Sequence, residues 1–212
     1  MRKLQAIDII SRAASIYDKQ MNHKNLLIIF GSPSKPDFIE TQAMPRNFLH
    51  LTGVELNKNI NADSPEKFFK NAIDHKISES DFYFKDENTE LKLNVLIQTL
   101  RVASNAKMIG DYNYNGNHIN LQTDKLAGGI NACLGFIKVD DYYIPNTVLA
   151  TDIRNETDNR QKVLAVLSKK IKEEKYNTIE MVGKKIDINR LLEKILPLVE
   201  IERDIIVSQI KK

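Results

Sequence analysis

The sequence predicts a chain of mixed helices and strands whose later strands pair antiparallel. Three observations carry this reading. A helical repeat of apolar residues opens the chain, a longer and more apolar helical stretch occupies its middle, and Asn115-Gly116 lies between two extended runs. Asn-Gly so flanked is among the strongest short-range hairpin signals, because both centre residues of a type I′ turn need positive φ.

From Lys3 to about Tyr17, the residues Ala6, Ile10, Ala13, Ala14 and Tyr17 recur at helical spacing, leaving Arg12, Asp18 and Lys19 for solvent. Leu26 to Phe30 is a short apolar run closed by Gly31-Ser32-Pro33, and Asp37 to Gln42 follows with Phe38 and Ile39. Two adjacent strands joined by a short turn fit this pattern. Pro45 suits the first turn of a short helix beginning near Met44. Ser64 and Pro65 supply an N-cap and a first helical residue for a helix through Ile73, with Phe68, Phe69 and Ile73 as its apolar stripe. Between Glu87 and about Asn105, the residues Leu91, Leu93, Val95, Leu96, Ile97, Leu100 and Val102 wrap apolar surface around most of a helix. Such a helix is expected to pack on more than one side.

After Lys107 the pattern turns to strands: Lys107 to Tyr114, His118 to Thr123, Ala132 to Val139 and Tyr142 to Ala150, the last two joined by Asp140-Asp141. Asp158 is expected to cap a further helix that buries Val163, Leu164, Val166, Leu167 and Ile171, with the charges from Lys169 to Lys175 as its solvated end. A strand from Thr178 to Val182, a turn at Gly183 and a helix near Asn189 to Val199, bent by Pro197, follow. The weakest join is near Ile171, which divides the chain into residues 1–171 and 172–212.

The 212 residues, 42% of them hydrophobic, supply one good-sized core. No apolar run reaches the ~20 residues a bilayer requires, and the opening Met1-Arg2-Lys3-Leu4 leads into a polar-faced helix, so a soluble, cytosolic protein is expected. Cys133 is the single cysteine and lies in a buried-strand pattern, where packing is its expected role. A formal charge of +3 leaves a nucleic-acid partner open without establishing one.

Several chemistries lack their motifs. Neither GxxxxGK[ST] nor GxGxxG occurs, and no GxSxG elbow is present. His23, His50, His75 and His118 are scattered, so no metal is expected, and Asp140-Asp141 reads as a wet hairpin tip. An enzyme of this sequence would work without metal or cofactor. The informative stretch is Phe48-Leu49-His50-Leu51-Thr52-Gly53-Val54, which places an imidazole and a hydroxyl on an apolar segment ending in glycine. Polar groups in such a setting need a partner or a use. Either they serve chemistry, or the histidine is bonded in the core and the threonine caps a turn that the glycine closes.

The run from Pro45 through Val54, the long apolar helix and the strand Tyr143-Ile144-Pro145-Asn146-Thr147-Val148-Leu149 together resemble the PBECR4 family. This is one of the phage-associated domains grouped with barnase, EndoU, the colicin E5 and D toxins and RelE. The resemblance covers about Lys3 to Ile171. It implies an α+β fold, a curved antiparallel sheet flanked by helices, and metal-independent cleavage of RNA, and it leaves the residues after Ile171 as an appendage, expected to be a helical C-terminal extension. Such cleavage needs a base for the ribose 2′-OH, donors for the pentavalent phosphate and an acid for the leaving 5′-oxygen.

On that implication, His50 is the proton carrier, since an imidazole titrates near neutrality. Thr52 donates to phosphate or orients the ring. Arg46, four residues before His50, shares a helix face with it and either helps hold a phosphate or stays a surface arginine. Thr147 and Arg154 supply a hydroxyl and a guanidinium from the second element, unless they are an ordinary strand threonine and loop arginine. Arg101 and Lys107 bracket the end of the long helix, where they contact RNA or satisfy its last carbonyls. Tyr112, Tyr114 and His118 offer faces for single-stranded bases, or a hydrophobic cluster. The expected function is an endoribonuclease of a mobile element. Relatives of the family include anti-CRISPR proteins, which extends the expectation to RNA as partner in the form of a guide RNA bound by Cas9. An inactive inhibitor that binds RNA or a ribonucleoprotein without cutting it is the alternative, and a structural accessory protein is a third.

Overall fold

A computed structural model describes residues 1–57, 64–114 and 121–200. Helix α1 (Lys3–Tyr17) buries Ala6, Ile10, Ala13, Ala14 and Tyr17, the stripe expected from spacing. Strands β1 (Lys24–Ser32) and β2 (Lys35–Thr41) form an antiparallel hairpin. Helix α2 (Asn47–Thr52) follows a turn at Met44, and a short ribbon pairs β3 (Val54–Leu56) with β4 (Phe82–Phe84). Between them lies α3 (Pro65–Ile73), whose N-cap Ser64 accepts from the Lys67 amide at 3.2 Å, as its sequence predicts.

The long apolar helix is interrupted. It comprises α4 (Asn88–Thr99) and a single turn, α5 (Val102–Asn105), with Arg101 at ψ 64° breaking the helical backbone between them. Leu93, Leu96 and Leu100 are buried, whereas Leu91 is 53% exposed, so α4 packs on less of its circumference than its composition implied. Strand β5 (Met108–Tyr112) pairs antiparallel with β6 (Lys125–Gly128). The Asn115-Gly116 turn lies outside the described residues. The expected strand His118–Thr123 lies partly outside the described residues; of it, Leu121 to Thr123 are irregular, and β6 begins at Lys125. Strands β7 (Cys133–Val139) and β8 (Tyr142–Leu149) form the expected hairpin, with Asp140 at φ +53° in its turn. Cys133 is fully buried, and burial pushes its thiol up to about 12, in line with a packing role.

The largest departure from expectation comes next. Asp152 caps a single turn, α6 (Ile153–Glu156), and residues expected to be helical form β9 (Thr157–Lys170), the longest strand. Five consecutive apolar residues, Val163 to Leu167, fit a helix or a strand covered on both faces, and periodicity cannot separate the two. Here both faces are covered. Leu26, Ile28, Phe30, Val163 and Val166 join the core beneath α1 to α4. Leu27, Ile29, Leu164 and Leu167 join a second core on the other face.

That second core is closed by the C-terminal part, which is a strand and a short helix and not a helical extension. Strand β10 (Thr178–Val182) pairs with β9, and α7 (Ile188–Glu193) contributes Ile188, Leu191 and Leu192 ahead of a 3-10 turn at Leu196–Leu198. The sheet is thus α+β in type and mostly antiparallel, with eight strands in the order β1-β2-β8-β7-β6-β5-β9-β10. Because β9 pairs with β5 along its first half and with β1 along its second, the ladder returns to its first strand. A ladder that returns must curl. Its seam is a parallel contact, Thr41 against Tyr143, held by the Gln42 amide on the Tyr143 carbonyl at 3.1 Å. No helix among the described residues is long and apolar enough to cross a membrane.

The division at Ile171 can be tested by truncation. A chain ending there loses Tyr176, Ile179, Leu191 and Leu192 from the second core and uncovers Leu27, Ile29 and Leu164. It is expected to melt at a clearly lower temperature than the full chain and to bind a hydrophobic dye, as read by circular dichroism and dye fluorescence.

Candidate active site

Helix α2 sorts its residues by face. Phe48, Leu51 and Thr52 are buried and His50 is exposed. A six-residue helix has no stability of its own in water, so packing must hold it. The Phe48 ring lies 5.4 Å from Tyr17 and 5.1 Å from Phe69, and these two are 5.5 Å apart. Tyr17 also donates from its hydroxyl to the Met44 carbonyl at 2.8 Å, fixing the turn into the helix. Residues two apart on a helix face away from each other, so anchoring Phe48 turns His50 outward.

The helix ends at Gly53, whose φ of +73° suits a residue without Cβ. Thr52 is fully buried, donating to the Leu49 carbonyl at 2.6 Å and accepting from the Val54 amide at 3.2 Å. Its expected role as a phosphate donor is therefore corrected: its hydroxyl is spent closing the turn. Gly53 also permits a close approach. A Cβ there would stand 3.0 Å from Lys92 Cδ and 3.4 Å from Thr89 Cα. Thr89 donates to the Gly53 carbonyl at 2.7 Å, so α4 rests on the end of α2 through Thr89 and Lys92, three residues apart on one face. The lysine stem passes over the glycine, and its Nζ lies 3.5 Å from Thr147 Oγ1.

Thr147 reaches this position through a bulge. Gly135 pairs with Thr147 and Phe136 pairs with Pro145, leaving Asn146 as the extra residue of β8. On a regular strand Asn146 and Thr147 would point to opposite faces, and the bulge lets both line one cleft. Asn146 is fixed in turn: its Oδ1 accepts from Thr123 Oγ1 at 3.0 Å and its Nδ2 donates to the Gln122 carbonyl. Space for this packing depends on Gly135, where a Cβ would come within 2.5 Å of Thr147 Cγ2.

These pieces enclose a cleft of 640 Å³ that His50, Lys92, Asn146 and Thr147 share with Tyr83 and Lys85. Glu55, on β3, is its carboxylate. Tyr83 donates to one Glu55 oxygen, and Lys85 Nζ stands 3.4 Å from the other. The bond to Glu55 raises the pKa of Tyr83. Burial lowers that of Lys92, against the pull of Asp86 and with the push of Lys85. An imidazole, two ammonium groups and a hydroxyl therefore share one concave surface.

The other expected residues lie elsewhere. Arg46 is exposed at the N-cap of α2 and does not line the cleft. Arg154 does not reach back to it; its guanidinium forks onto Asp152, with Nε at 3.0 Å and Nη2 at 2.6 Å from the carboxylate. Arg101, ahead of α5, and Lys107, ahead of β5, are exposed and outside the cleft. Tyr112 is 5% exposed and packs edge to face on Tyr114 at 5.1 Å within a cluster including Leu126 and Ile153, so its ring is not open to a base. Tyr114 is 58% exposed, with its hydroxyl on the Thr123 carbonyl at 2.5 Å. His118 lies outside the described residues.

Sequence reasoning missed Lys92, Lys85 and Asn146. The bulge had a signal, since proline within a strand run marks an edge or a bulge and Pro145 precedes Asn146. Thr89 and Lys92 formed a polar notch at i, i+3 in an apolar helix, which is readable only once Gly53 is placed beneath it.

No curated protein and no solved structure gives a match to the chain. A family model, PBECR4, described as phage-Barnase-EndoU-ColicinE5/D-RelE like nuclease4, matches residues 9–196. The match runs from within α1 to the 3-10 turn after α7, so it contains every residue that lines the cleft and the three strands of the second core. The chain belongs to the PBECR4 family of phage-associated nuclease-like domains.

Proposed function

We propose that this protein is an endoribonuclease that cuts RNA by attack of the ribose 2′-OH, without a metal ion or cofactor. The observation that carries the reading is the 3.5 Å approach of Lys92 Nζ to Thr147 Oγ1 in the cleft that His50 also lines. His50 takes the proton of the 2′-OH as the 2′-oxygen bonds to phosphorus. Lys92 and Thr147 donate to the phosphoryl oxygens as negative charge builds on them, which is where fixed donors lower a barrier most. The P–O5′ bond then breaks, and Lys92 gives a proton to the departing oxygen. Its lowered pKa makes it a better proton donor than an ordinary lysine. The products are a 2′,3′-cyclic phosphate and a 5′-hydroxyl. Arg46 and Tyr114, both exposed, meet the RNA strand beyond the cleft.

Neither the cleft nor the comparisons select a guide RNA held by Cas9 over any other flexible RNA, so the proposed substrate class is single-stranded RNA. The test is incubation with end-labelled RNA in EDTA. Wild-type protein is expected to yield cyclic-phosphate products, a 2′-deoxy substitution at the cut site to block them, and His50→Ala to slow cleavage by about 10²- to 10⁴-fold. Tight RNA binding with no product, unaltered by His50→Ala, would overturn the enzyme in favour of a binding module. Activity seen only after adding a divalent ion would overturn the metal-free route.

Lys92→Met separates function from stability. Because burial lowers the lysine's pKa below the ordinary 10.5, its charged form costs stability at all pH values below the folded pKa, and the cost fades as pH rises toward 10.5. The variant is expected to lose about 100-fold or more in cleavage rate while melting at an equal or higher temperature at pH 7. The melting difference from wild type should shrink in alkaline buffer, as followed by circular dichroism.

A further inference from the structure

The ribbon of β3 and β4 forms one wall of the cleft, and its alternation sorts three consecutive aromatic residues. Phe82 is fully buried, its ring 6.4 Å from Phe68 and 6.1 Å from Phe84, and both Phe82 and Phe84 pack into the core beneath the helices. Successive strand residues point to opposite faces, so Tyr83 between them points away from that core. It is 43% exposed and lines the cleft. Exposure alone would leave such a ring free to turn. This one is tied. Tyr83 and Glu55 are register partners across the ribbon, the tyrosine hydroxyl donates to the Glu55 carboxylate, and Lys85 Nζ stands 3.4 Å from the other carboxylate oxygen. The ring is therefore fixed at its tip and left partly uncovered.

We infer that Tyr83 is a stacking platform for one unpaired nucleobase of the RNA held in the cleft, so that the β3–β4 ribbon selects single strands by the face of a base and not by its edge. The inference rests on the proposed RNA substrate and deepens it. Every base has a π-face, and a tyrosine that receives one raises affinity about tenfold with little regard to sequence. Fixing the ring beforehand removes an ordering cost that a mobile side chain would incur on binding. The charge of the cleft suits the same occupant, because Lys85 and Lys92 line it and attract the phosphates on either side of the base. A base within a duplex has both faces covered by its neighbours, so only a splayed, unpaired base can reach the tyrosine.

Two short 2′-O-methyl strands, which the proposed reaction cannot cut, isolate the effect: one is abasic throughout and the other carries a single adenine. By titration calorimetry, wild type is expected to bind the adenine strand about tenfold more tightly than the abasic one. Tyr83→Phe keeps the ring and is expected to keep most of that gain, whereas Tyr83→Thr, whose β-branched side chain suits a strand, is expected to lose it. The chain contains no tryptophan, so Tyr83→Trp places a lone reporter at the platform, and its emission is expected to be quenched by the adenine strand and not by the abasic one. That readout holds even if Tyr83→Thr fails to fold. Equal affinity of wild type for the two strands, a gain that survives in folded Tyr83→Thr, or Tyr83→Trp emission that is the same with both strands overturns the platform. Adenine-dependent binding and quenching in a protein that leaves unmodified RNA uncut supports the platform and overturns the nuclease, while cleavage of unmodified RNA with emission blind to the base does the reverse.

Discussion

The site depends on the seating of one short helix. Six residues cannot hold a helix in water, and α2 exists because Phe48 is locked among Tyr17 and Phe69 at ring separations of 5.1 to 5.5 Å. Such aromatic pairs contribute about 0.5 to 1.5 kcal/mol beyond their buried area. Three helices are fixed relative to one another by that contact, since Tyr17 closes α1 and Phe69 belongs to α3. The exposed imidazole is a geometrical consequence of the buried ring two residues earlier.

From that seat the rest of the cleft follows through two glycines. Gly53 ends α2 with a left-handed backbone and leaves room for the Lys92 stem. Gly135 leaves room for Thr147 on the facing strand and for Thr123 ahead of β6. A lysine from α4 and a threonine from β8 therefore meet beside a histidine from α2, three elements far apart in the chain. None of the three groups is costly alone. Their convergence is costly, because Lys92 is desolvated and stands in the field of Lys85, a cost that Asp86 offsets only in part. On the proposed reading, a bound phosphodiester adds to the counter-charge that Asp86 supplies.

Much of the fold was legible because it rests on local patterns. The stripe of α1, the Ser64-Pro65 start of α3 and the β7–β8 hairpin each follow from a few neighbouring residues. The failure at β9 has a physical source. Val163 to Leu167 is apolar throughout, and only the presence of a second core under Leu27, Ile29 and Leu164 shows that the sheet is covered on both sides. That core is built by residues from Tyr176 onward, so the identity of one segment was fixed by another that lies later in the chain. The break at Arg101 was hidden for a related reason: apolar composition continues across it while the backbone does not.

Within the site, legibility tracked whether a residue acts through its own neighbourhood. His50 stands out because its surroundings are apolar, and Thr147 because it is the hydroxyl of the strand that follows Pro145. Thr52 shares the first signal and has the other explanation, since its hydroxyl bridges Leu49 and Val54 and never leaves the core. Arg154 has charge and proximity in sequence, yet Asp152 two residues earlier captures it. Lys92 has no local mark, because what distinguishes it is a glycine 39 positions away and a strand further still. A residue whose role is defined by what passes over it is visible only in three dimensions, and for that reason the group that completes the proposed chemistry was the one the sequence could not announce.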